Sequence, residues 1–275
     1  LPEVSLLRGS EFPNDDGRVI FSVHRDAGGD LWGGVGDHVY RWTAGQKWQP
    51  VLHLESGASD LLRDRSGGLW FSSAKPEIGR WANGRSTVLE ASAGLPEIQS
   101  RALFQDSRGW LWIGLRTKGV SVTKNPAAQM PTFINYSTRD GLASDSVWAI
   151  SEDEGGRMYL GTGRGLDQLD PTTKRIRHLT TADGLAGDVI NKLMRDRHGY
   201  ISVATTGGLS RVDPRALRSP SRSPSVYLTQ VTVAGQELAI PATGSRHLRT
   251  TVFQSWQNNL RIEYVGLDFR SERTL

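Results

Sequence analysis

Four cationic side chains in the middle of the sequence have the clearest chemistry for recognition. Arg116, Lys118, Arg139 and Arg164 all fall in short segments that also contain Gly or Thr. The planar guanidinium group of arginine forms paired hydrogen bonds with carboxylate or sulfate. If the fold brings these cations together, they would bind an anionic or polyhydroxylated ligand. Solvent-exposed side chains without a ligand are the alternative for each of them.

The sequence lacks the common motifs of catalysis. It contains no Gly-x-Ser-x-Gly elbow, no P-loop, no His-Glu-x-x-His and no cysteine, which excludes thiol nucleophiles, disulfides and zinc–thiolate sites. The six histidines are scattered without the spacing of metal ligands. The glycine-rich segment 161–166 precedes a strand-like run, so it lacks the helix N-terminus that phosphate binding uses. We therefore expect no enzyme activity and assign no cofactor or metal.

Composition points to a globular protein of about two domains. The chain has 275 residues, 37% hydrophobic and 23% charged, and no apolar run of about 18 residues that would cross a membrane. Its 33 Lys and Arg residues against 29 Asp and Glu give a formal charge of +4. These charges are spread along the chain rather than clustered, which argues against nucleic acid as a partner. The 31 glycines favour a β protein with tight turns.

One short frame occurs five times and determines the predicted fold. Each copy reads Asp-x-x-Gly-x, then a bulky apolar residue, then Trp, Tyr or, in the last copy, Ser. The copies begin at Asp26, Asp64, Asp106, Asp153 and Asp196. The spacings between the final positions of successive copies are 38, 42, 47 and 43 residues. A period of about 40–45 residues is typical of four-stranded propeller blades.

Each Asp-x-x-Gly segment is predicted to form a hairpin turn. An aspartate at the first position accepts hydrogen bonds from backbone amides further on, and the glycine supplies the left-handed conformation that closes the hairpin. Gly109 and Gly156 are therefore expected to have positive φ. Strand-like runs flank the turns and no helical period occurs, so each unit is predicted to contain four antiparallel strands. A β-sandwich would not explain a motif that recurs five times.

Residues 141–185 resemble the two-component regulator propeller repeat. They contain, in order, an opening Gly-Leu, the Asp-x-x-Gly turn, the Leu-Trp-x-Gly strand (Met-Tyr-Leu-Gly in this copy) and a closing Gly-Leu-x-x-x-Asp-Pro. The resemblance extends over residues 19–214, although residues 74–81 and 116–122 depart from the Gly-Leu pattern.

This resemblance implies the periplasmic sensor region of a bacterial hybrid histidine kinase or related receptor. Such a region would bind a carbohydrate-like small molecule or oligosaccharide. It would form a homodimer in the intact receptor and would relay the signal to a kinase or cyclase output domain. Contact with the membrane would be made only through segments outside this chain.

The predicted architecture is all-β, with propeller blades in residues 1–214, a linker in residues 215–225 and the start of a second domain in residues 226–275. The linker is rich in Ser, Pro and Arg. The second domain has a hairpin signal at Ala234 and Gly235, and it resembles the first half of the three-tyrosine domain, an Ig-like β-sandwich. Because such propellers close with about seven blades, the five frames predict an incomplete propeller, with residues 4–7 as an outer strand that no other strand precedes.

The topology of the blades predicts where a ligand would bind. Successive antiparallel strands alternate ends, so the loops after the second strands and the loops between blades share the face opposite the Asp-x-x-Gly turns. These loops vary between copies, and variable loops on a rigid scaffold usually carry recognition. The candidate ligand-binding residues on this face are Arg116, Lys118, Arg139, Asp145, Trp148 and Arg164. Trp32, Trp70 and Trp112 are assigned to packing between blades, and a propeller lyase or glycosidase and a protein-interaction scaffold stay open as alternatives.

Overall fold

The computed structural model describes residues 19–73, 75, 77–89, 94–96, 99–218, 225–248 and 253–267. The chain divides into two compact units, Leu1–Pro214 and Arg215–Leu275. Among the described residues, five antiparallel sheets follow one another in the first unit, and the second unit has one sheet. These blade-like sheets confirm the predicted fold class. The outer strand expected at residues 4–7 lies outside the described residues.

Each strand of a blade-like sheet pairs with the next strand along the chain. The first sheet comprises β1 (Ile20–Arg25), β2 (Leu31–Val35), β3 (His38–Trp42) and β4 (Gln49–His53). The second comprises β5 (Ala58–Arg63), β6 (Leu69–Ser73), β7 (Ile78–Ala82) and β8 (Arg85–Val88). The third comprises β9 (Ser100–Gln105), β10 (Leu111–Leu115), β11 (Val120–Thr123) and β12 (Ile134–Tyr136). The fourth comprises β13 (Val147–Glu152), β14 (Met158–Thr162), β15 (Gly165–Leu169) and β16 (Ile176–Leu179). The fifth, within the described residues, comprises β17 (Ile190–Arg195), β18 (Ile201–Thr205) and β19 (Gly208–Val212).

The Asp-x-x-Gly turns join the first and second strands of the five sheets. In the third sheet, one carboxylate oxygen of Asp106 accepts hydrogen bonds from the amides of Arg108 (3.0 Å) and Trp110 (2.8 Å). The Gly109 amide donates to the Asp106 carbonyl at 3.0 Å. The φ angles of Gly109 and Gly156 are 87° and 76°, which confirms the predicted left-handed conformation. Glycine is favoured at these positions because a Cβ atom would be strained there.

A further contact, which the repeat frame does not reveal, links three of the turns to the strand that follows them. The second carboxylate oxygen of Asp106 accepts a hydrogen bond from the indole N–H of the fully buried Trp112 at 3.0 Å. The same bond, at 2.9 Å, joins Trp32 to Asp26 and Trp70 to Asp64. The three tryptophans pack between blades as expected, and each also satisfies a turn carboxylate.

The last two sheets satisfy the turn carboxylate differently. In the fourth sheet, the hydroxyl of Tyr159 lies 3.3 Å from the carboxylate of Asp153. In the fifth sheet, Ser202 occupies the tryptophan position, and the guanidinium of Arg211 donates to Asp196 at 3.2 Å instead. An arginine also contacts the turn aspartate in the second sheet, where Arg80 donates to Asp64 at 2.9 Å beside the bond from Trp70.

Apolar side chains between neighbouring sheets form the core of the first unit. Between the third and fourth sheets, Trp112, Val147 and Met158 are fully buried in one cluster, and similar clusters join the earlier pairs of sheets. The first strands of consecutive sheets lie side by side, so they are the inner strands of the propeller. The first and fifth sheets expose apolar side chains, among them Val23 (59%) and Met194 (63%). The number of blades in the complete propeller stays a prediction.

Two connections between sheets contain a second short motif, Ser/Thr-Thr-x-Asp-Gly-Leu. Each forms a 3-10 turn, Thr138–Asp140 or Thr181–Asp183, that is closed by a capping box. Gly141 and Gly184 end these turns with φ angles of 106° and 100°. The leucine that follows each glycine is buried and anchors the connection to the core.

The second unit contains a three-stranded antiparallel sheet in the order β21–β20–β22. Its strands are β20 (Ser225–Val233), β21 (Gln236–Glu237) and β22 (Leu260–Leu267). The predicted hairpin is confirmed, with φ angles of 49° at Ala234 and 83° at Gly235. The predicted linker contains a 3-10 turn, Ala216–Arg218, and its last residue begins β20. That this unit begins a three-tyrosine β-sandwich stays a prediction. No helix within the described ranges is long and apolar enough to cross a membrane.

Candidate functional site

The connections after the second and fourth strands of each sheet form one surface, called here the loop face. The Gly119 amide, after β10, donates to the carbonyl of Asp145 in the connection to the fourth sheet at 2.6 Å. One sheet further, the Gly165 amide donates to the carbonyl of Asp188, also at 2.6 Å. These bonds tie a hairpin loop to the connection that follows it. The loop face is therefore held together by the backbone.

Asp145 anchors its connection through its side chain. The carboxylate accepts hydrogen bonds from the amide (2.7 Å) and the hydroxyl (3.1 Å) of Thr138. Asp188 makes the same two contacts with Thr181, at 2.7 Å and 3.3 Å. Because the contacts recur in two connections, they fix the shape of the loop. A further role of Asp145 in ligand binding stays a prediction.

The four predicted cations, Arg116, Lys118, Arg139 and Arg164, are all exposed on the loop face. Lys118 and Arg139 lie in the two loops that a 2.6 Å backbone bond joins. The guanidinium of Arg116 donates to the side chain of Gln99 at 3.3 Å, which directs it toward the connection from the second sheet. Arg164 lies at the tip of the β14–β15 hairpin, one sheet further along. The structure thus brings two of the cations into neighbouring loops and places the other two toward adjacent sheets.

Every inner strand carries a β-bulge at the same point. In β1, β5, β9, β13 and β17, the pairing with the second strand skips one residue near the loop face. The skipped residues are Phe21, Ser59, Arg101, Trp148 and Asn191, called here the bulge row. Trp148 is half-buried and the other four are exposed. A bulge takes a residue out of the ladder and re-aims its side chain. The bulge row is therefore a line of presented side chains beside the loop face.

Two members of the bulge row are in contact. The guanidinium of Arg101 lies 5.7 Å from the centroid of the Trp148 ring, within the range of a cation–π interaction. The indole N–H of Trp148 donates to the hydroxyl of Ser146, which fixes the ring. An aromatic face and a guanidinium side by side suit a ligand that carries both C–H surface and anionic groups.

Sequence reasoning identified only Trp148 of this row. Each of the five residues lies five positions before a turn aspartate. Aligning the copies on that aspartate would have found them, because this position holds Phe, Ser, Arg, Trp and Asn in turn. Two positions later, by contrast, every copy has an apolar residue. The sequence signal for the bulge row is therefore a position that varies between copies within a strand that otherwise repeats.

Charged groups adjoin the bulge row. The carboxylate of Asp60, which follows Ser59, accepts a hydrogen bond from the Leu103 amide of the next sheet at 2.8 Å. Burial raises the pKa of the Asp60 carboxyl above its ordinary value, while the Leu103 bond and the charge of Lys192 oppose that shift. Lys192 occupies the corresponding position of β17.

Aspartate–histidine contacts occur away from the bulge row. Within the part of the chain that the structure describes, one group of three such side chains is close enough to share an ion, namely Asp37, His38 and His53 on the first sheet. In the fourth sheet, Nδ1 of His178 lies 2.6 Å from Oδ1 of Asp167. Burial raises the pKa of the Asp167 carboxyl, although the contact with His178 opposes the shift. Neither group lies on an inner strand, so neither belongs to the bulge row.

Comparison with known proteins bears on the fourth sheet. Residues 141–164 match the family model of the two-component regulator propeller. The chain carries a two-component regulator propeller repeat. The matched residues run from the connection before β13 to the tip of the β14–β15 hairpin, so they include Asp145, Trp148 and Arg164. The match confirms the resemblance that the repeat frame indicated. No curated protein matches the sequence.

Several solved structures share the fold of this repeat-bearing chain. The extracellular domain of the hybrid two-component system BT3049 from B. thetaiotaomicron has a TM-score of 0.69 and 16% identity, covering 93% of this chain and 36% of that one. The corresponding domain of BT4673 from the same organism has a TM-score of 0.62 and 17% identity, covering 96% and 50%. Virginiamycin B lyase from Staphylococcus aureus has a TM-score of 0.55 and 12% identity, covering 74% and 72%.

At these identities the likeness establishes the propeller fold. The chain spans half or less of the length of the two-component structures that it matches.

Proposed function

We propose that this chain is part of the ligand-sensing extracytoplasmic region of a bacterial two-component-type receptor. The two-component regulator propeller repeat supports this role, as do two structural neighbours that are extracellular domains of hybrid two-component systems. In this proposal the chain lies in the periplasm, and the intact receptor is a homodimer. Ligand binding is relayed to a kinase or cyclase output domain through a membrane segment outside these residues.

The observation that carries the binding role is the bulge row beside the loop face. Five inner strands share one turn and one bulge, yet they carry five different side chains at the bulged position. A bulged residue is left out of the pairing ladder, which re-aims its side chain. A scaffold that repeats its turn and varies its bulge is suited to presenting side chains to a ligand.

The ligand that fits these side chains best is an acidic carbohydrate. Arg101 and Lys192 supply positive charge on the inner strands, and the exposed cations of the loop face add to it. A guanidinium binds carboxylate or sulfate through two parallel hydrogen bonds. The Trp148 ring offers an adjacent apolar surface for the C–H groups of a sugar ring, because one part of its indole remains exposed.

Non-enzymatic binding is the role proposed. The likeness to virginiamycin B lyase shows the fold alone. The two Asp–His groups found among the described residues are not part of the bulge row.

Calorimetric titration of the 275-residue chain tests the carbohydrate proposal. The titrants are uronate-containing and sulfated oligosaccharides, with neutral oligosaccharides of the same length for comparison. We expect the acidic glycans to bind, and to bind more weakly as salt rises, because exposed charges are screened beyond about 8–10 Å near physiological ionic strength. If no glycan in either set binds, the carbohydrate proposal is wrong.

Three variants locate the binding site. Two of them should weaken binding of the best acidic glycan: Arg101→Ala, and the double variant Arg116→Ala with Arg164→Ala. Neither should alter the melting temperature much, since these side chains are exposed. Arg197→Ala removes an exposed arginine from an Asp-x-x-Gly turn on the opposite face and should leave binding unchanged. Binding that survives in the first two variants would place the ligand elsewhere on the molecule.

A further inference from the structure

A cluster of two histidines and one aspartate lies at one corner of the first sheet. Nδ1 of His38 is 2.7 Å from Oδ1 of Asp37, and Nδ1 of His53 is 3.7 Å from Oδ2 of the same carboxylate. The two imidazole rings have centroids 4.8 Å apart. One donor atom from each of the three residues lies within 4.8 Å of the other two. The carboxylate of Asp37 therefore lies close to both imidazoles.

The backbone holds the three residues in place. Gly36, with a φ angle of 57°, and Asp37 form the two-residue turn between β2 and β3. His38 begins β3 and pairs directly with His53 at the end of β4. The Leu54 amide donates to the Asp37 carbonyl at 2.7 Å, which ties the turn to the end of β4. The cluster is thus built on paired strands and a tight turn, which place side chains more accurately than a long loop would.

Two imidazoles and one carboxylate form the ligand set of a borderline transition-metal ion. Zn²⁺ binds imidazole nitrogen and carboxylate oxygen at about 2.0–2.2 Å, whereas Mg²⁺ and Ca²⁺ prefer oxygen ligands only. Tetrahedral bonds of that length put donor atoms about 3.3 Å apart. The donors in this cluster therefore need to approach by about 1.5 Å at most. The side chains of His38, Asp37 and His53 are 30%, 42% and 61% exposed, so they have room to rotate.

We propose that Asp37, His38 and His53 bind one Zn²⁺ ion on the loop face. The three side chains supply three ligands, and the exposed fourth position is open to water or to an oxygen atom of a bound molecule. The proposal concerns a site separate from the bulge row, and it holds whether or not the chain binds a carbohydrate.

Asp37 supplies negative charge at this corner. Its carboxylate oxygens lie 2.7 Å from Nδ1 of His38 and 3.7 Å from Nδ1 of His53. Glu55 follows close to His53 in the chain but pairs with Lys75, whose ammonium is 2.6 Å from its carboxylate.

The sequence alone hides this cluster. His38 and His53 are 15 residues apart in the chain, a spacing typical of no metal motif, and they become neighbours only because β3 and β4 form an antiparallel pair. The described strands contain two other histidines, His24 and His178. Neither belongs to a group of three side chains that could share an ion.

Zinc titration of the whole 275-residue chain, stripped of metal with a chelator and then dialysed, tests the proposal. Isothermal titration calorimetry and competition with a chromophoric zinc chelator should both show one Zn²⁺ ion bound per chain. His38→Ala and His53→Ala should each weaken zinc binding at least about tenfold, since loss even of a residue that only supports a ligand weakens metal sites by about that factor. His198→Ala removes an exposed histidine on the opposite face and serves as the matched control. Mg²⁺ and Ca²⁺ should not compete with Zn²⁺.

X-ray absorption of the zinc-loaded chain gives a second readout, which should show two imidazole ligands in the wild type and one in each single variant. Circular dichroism confirms that every variant is folded. The proposal is wrong if the wild type binds no stoichiometric zinc, if the His38→Ala, His53→Ala double variant binds it as tightly as the wild type, or if His198→Ala weakens binding as much as the single variants do.

Discussion

Replacement of Asp106 by alanine measures how much a buried turn carboxylate stabilises the propeller. Asp106 is fully buried, and its two oxygens accept three hydrogen bonds, from the amides of Arg108 and Trp110 and from the indole of Trp112. Alanine removes the acceptors and leaves all three donors in place. The expected loss in the free energy of unfolding follows from the surroundings of those donors.

The three donors differ in their access to water. The indole of Trp112 is fully buried, and a buried donor left without a partner costs about 1–3 kcal/mol. Arg108 is exposed and Trp110 is half-buried, so water can partly replace the carboxylate at their amides. One full and two partial losses give a decrease of about 3–5 kcal/mol in the free energy of unfolding.

The fifth sheet provides a matched control. Asp196 accepts the same two amide bonds, from His198 (2.8 Å) and Tyr200 (3.0 Å), but Ser202 offers no indole and the carboxylate is 25% exposed. Asp196→Ala should therefore destabilise the chain much less than Asp106→Ala. Urea unfolding followed by circular dichroism and tryptophan fluorescence measures both.

A loss for Asp106→Ala no larger than that for Asp196→Ala would refute the reasoning, because the indole bond and the burial would then contribute nothing. If Asp106→Ala does not fold well enough to be measured, the losses in unfolding free energy are compared for Asp106→Asn and Asp196→Asn instead. Asparagine keeps one acceptor oxygen in each turn, and the buried position should again show the larger loss.

Three smaller changes test other parts of the fold. Gly109→Ala should destabilise the chain by about 1–2 kcal/mol because Gly109 has a positive φ. Gly163 has an ordinary φ, and no neighbouring atom would lie nearer than 4.0 Å to a new Cβ, so Gly163→Ala should be near neutral in thermal melts. Equal effects of the two variants would contradict the turn assignment. Burial raises the pKa of the Asp64 carboxyl, but hydrogen bonds, that from Arg80 foremost, outweigh it and hold the pKa below 3.8. The stability that ionised Asp64 contributes is therefore present above about pH 3.8 and is lost as the pH falls through the lower pKa of the folded state. The difference in unfolding free energy between the wild type and Asp64→Asn should shrink toward pH 3. A difference that does not depend on pH would contradict the lowered pKa of Asp64. Ala234→Asn should stabilise the second unit by about 0.5–1 kcal/mol, because asparagine tolerates the left-handed φ that alanine is forced to adopt; a lower melting temperature would show that the turn differs.

Local signals explain most of what the sequence predicted. The turn aspartate and its glycine act within five residues, so the five copies indicated both the hairpins and the positive φ at Gly109 and Gly156. Four strands were expected in each unit, but the outer strands of the first two sheets were not assigned to particular residues, again for local reasons. β4 contains Pro50, which weakens a strand signal, and every residue of β8 is exposed, so no apolar alternation marks it.

Long-range contacts account for what the sequence left out. The Asp60 carboxylate meets the Leu103 amide across 43 residues, and the two histidines of the proposed zinc site meet through strand pairing. The candidate residues of the loop face could be assigned to one end of the propeller because strand direction alternates. How far the four cations act together depends on side-chain directions, which the frame does not encode.

The bulge row also has a consequence for how such a protein changes over time. A residue inside a strand is normally constrained twice, by the ladder and by the core, so most substitutions there weaken the fold. The residue five positions before each turn aspartate is outside the ladder, and at four of the five positions it is exposed. Five codons can therefore mutate one at a time while the same frame is retained. A randomised set at the four exposed positions, Phe21, Ser59, Arg101 and Asn191, would be a small combinatorial library built on one turn and one strand pattern.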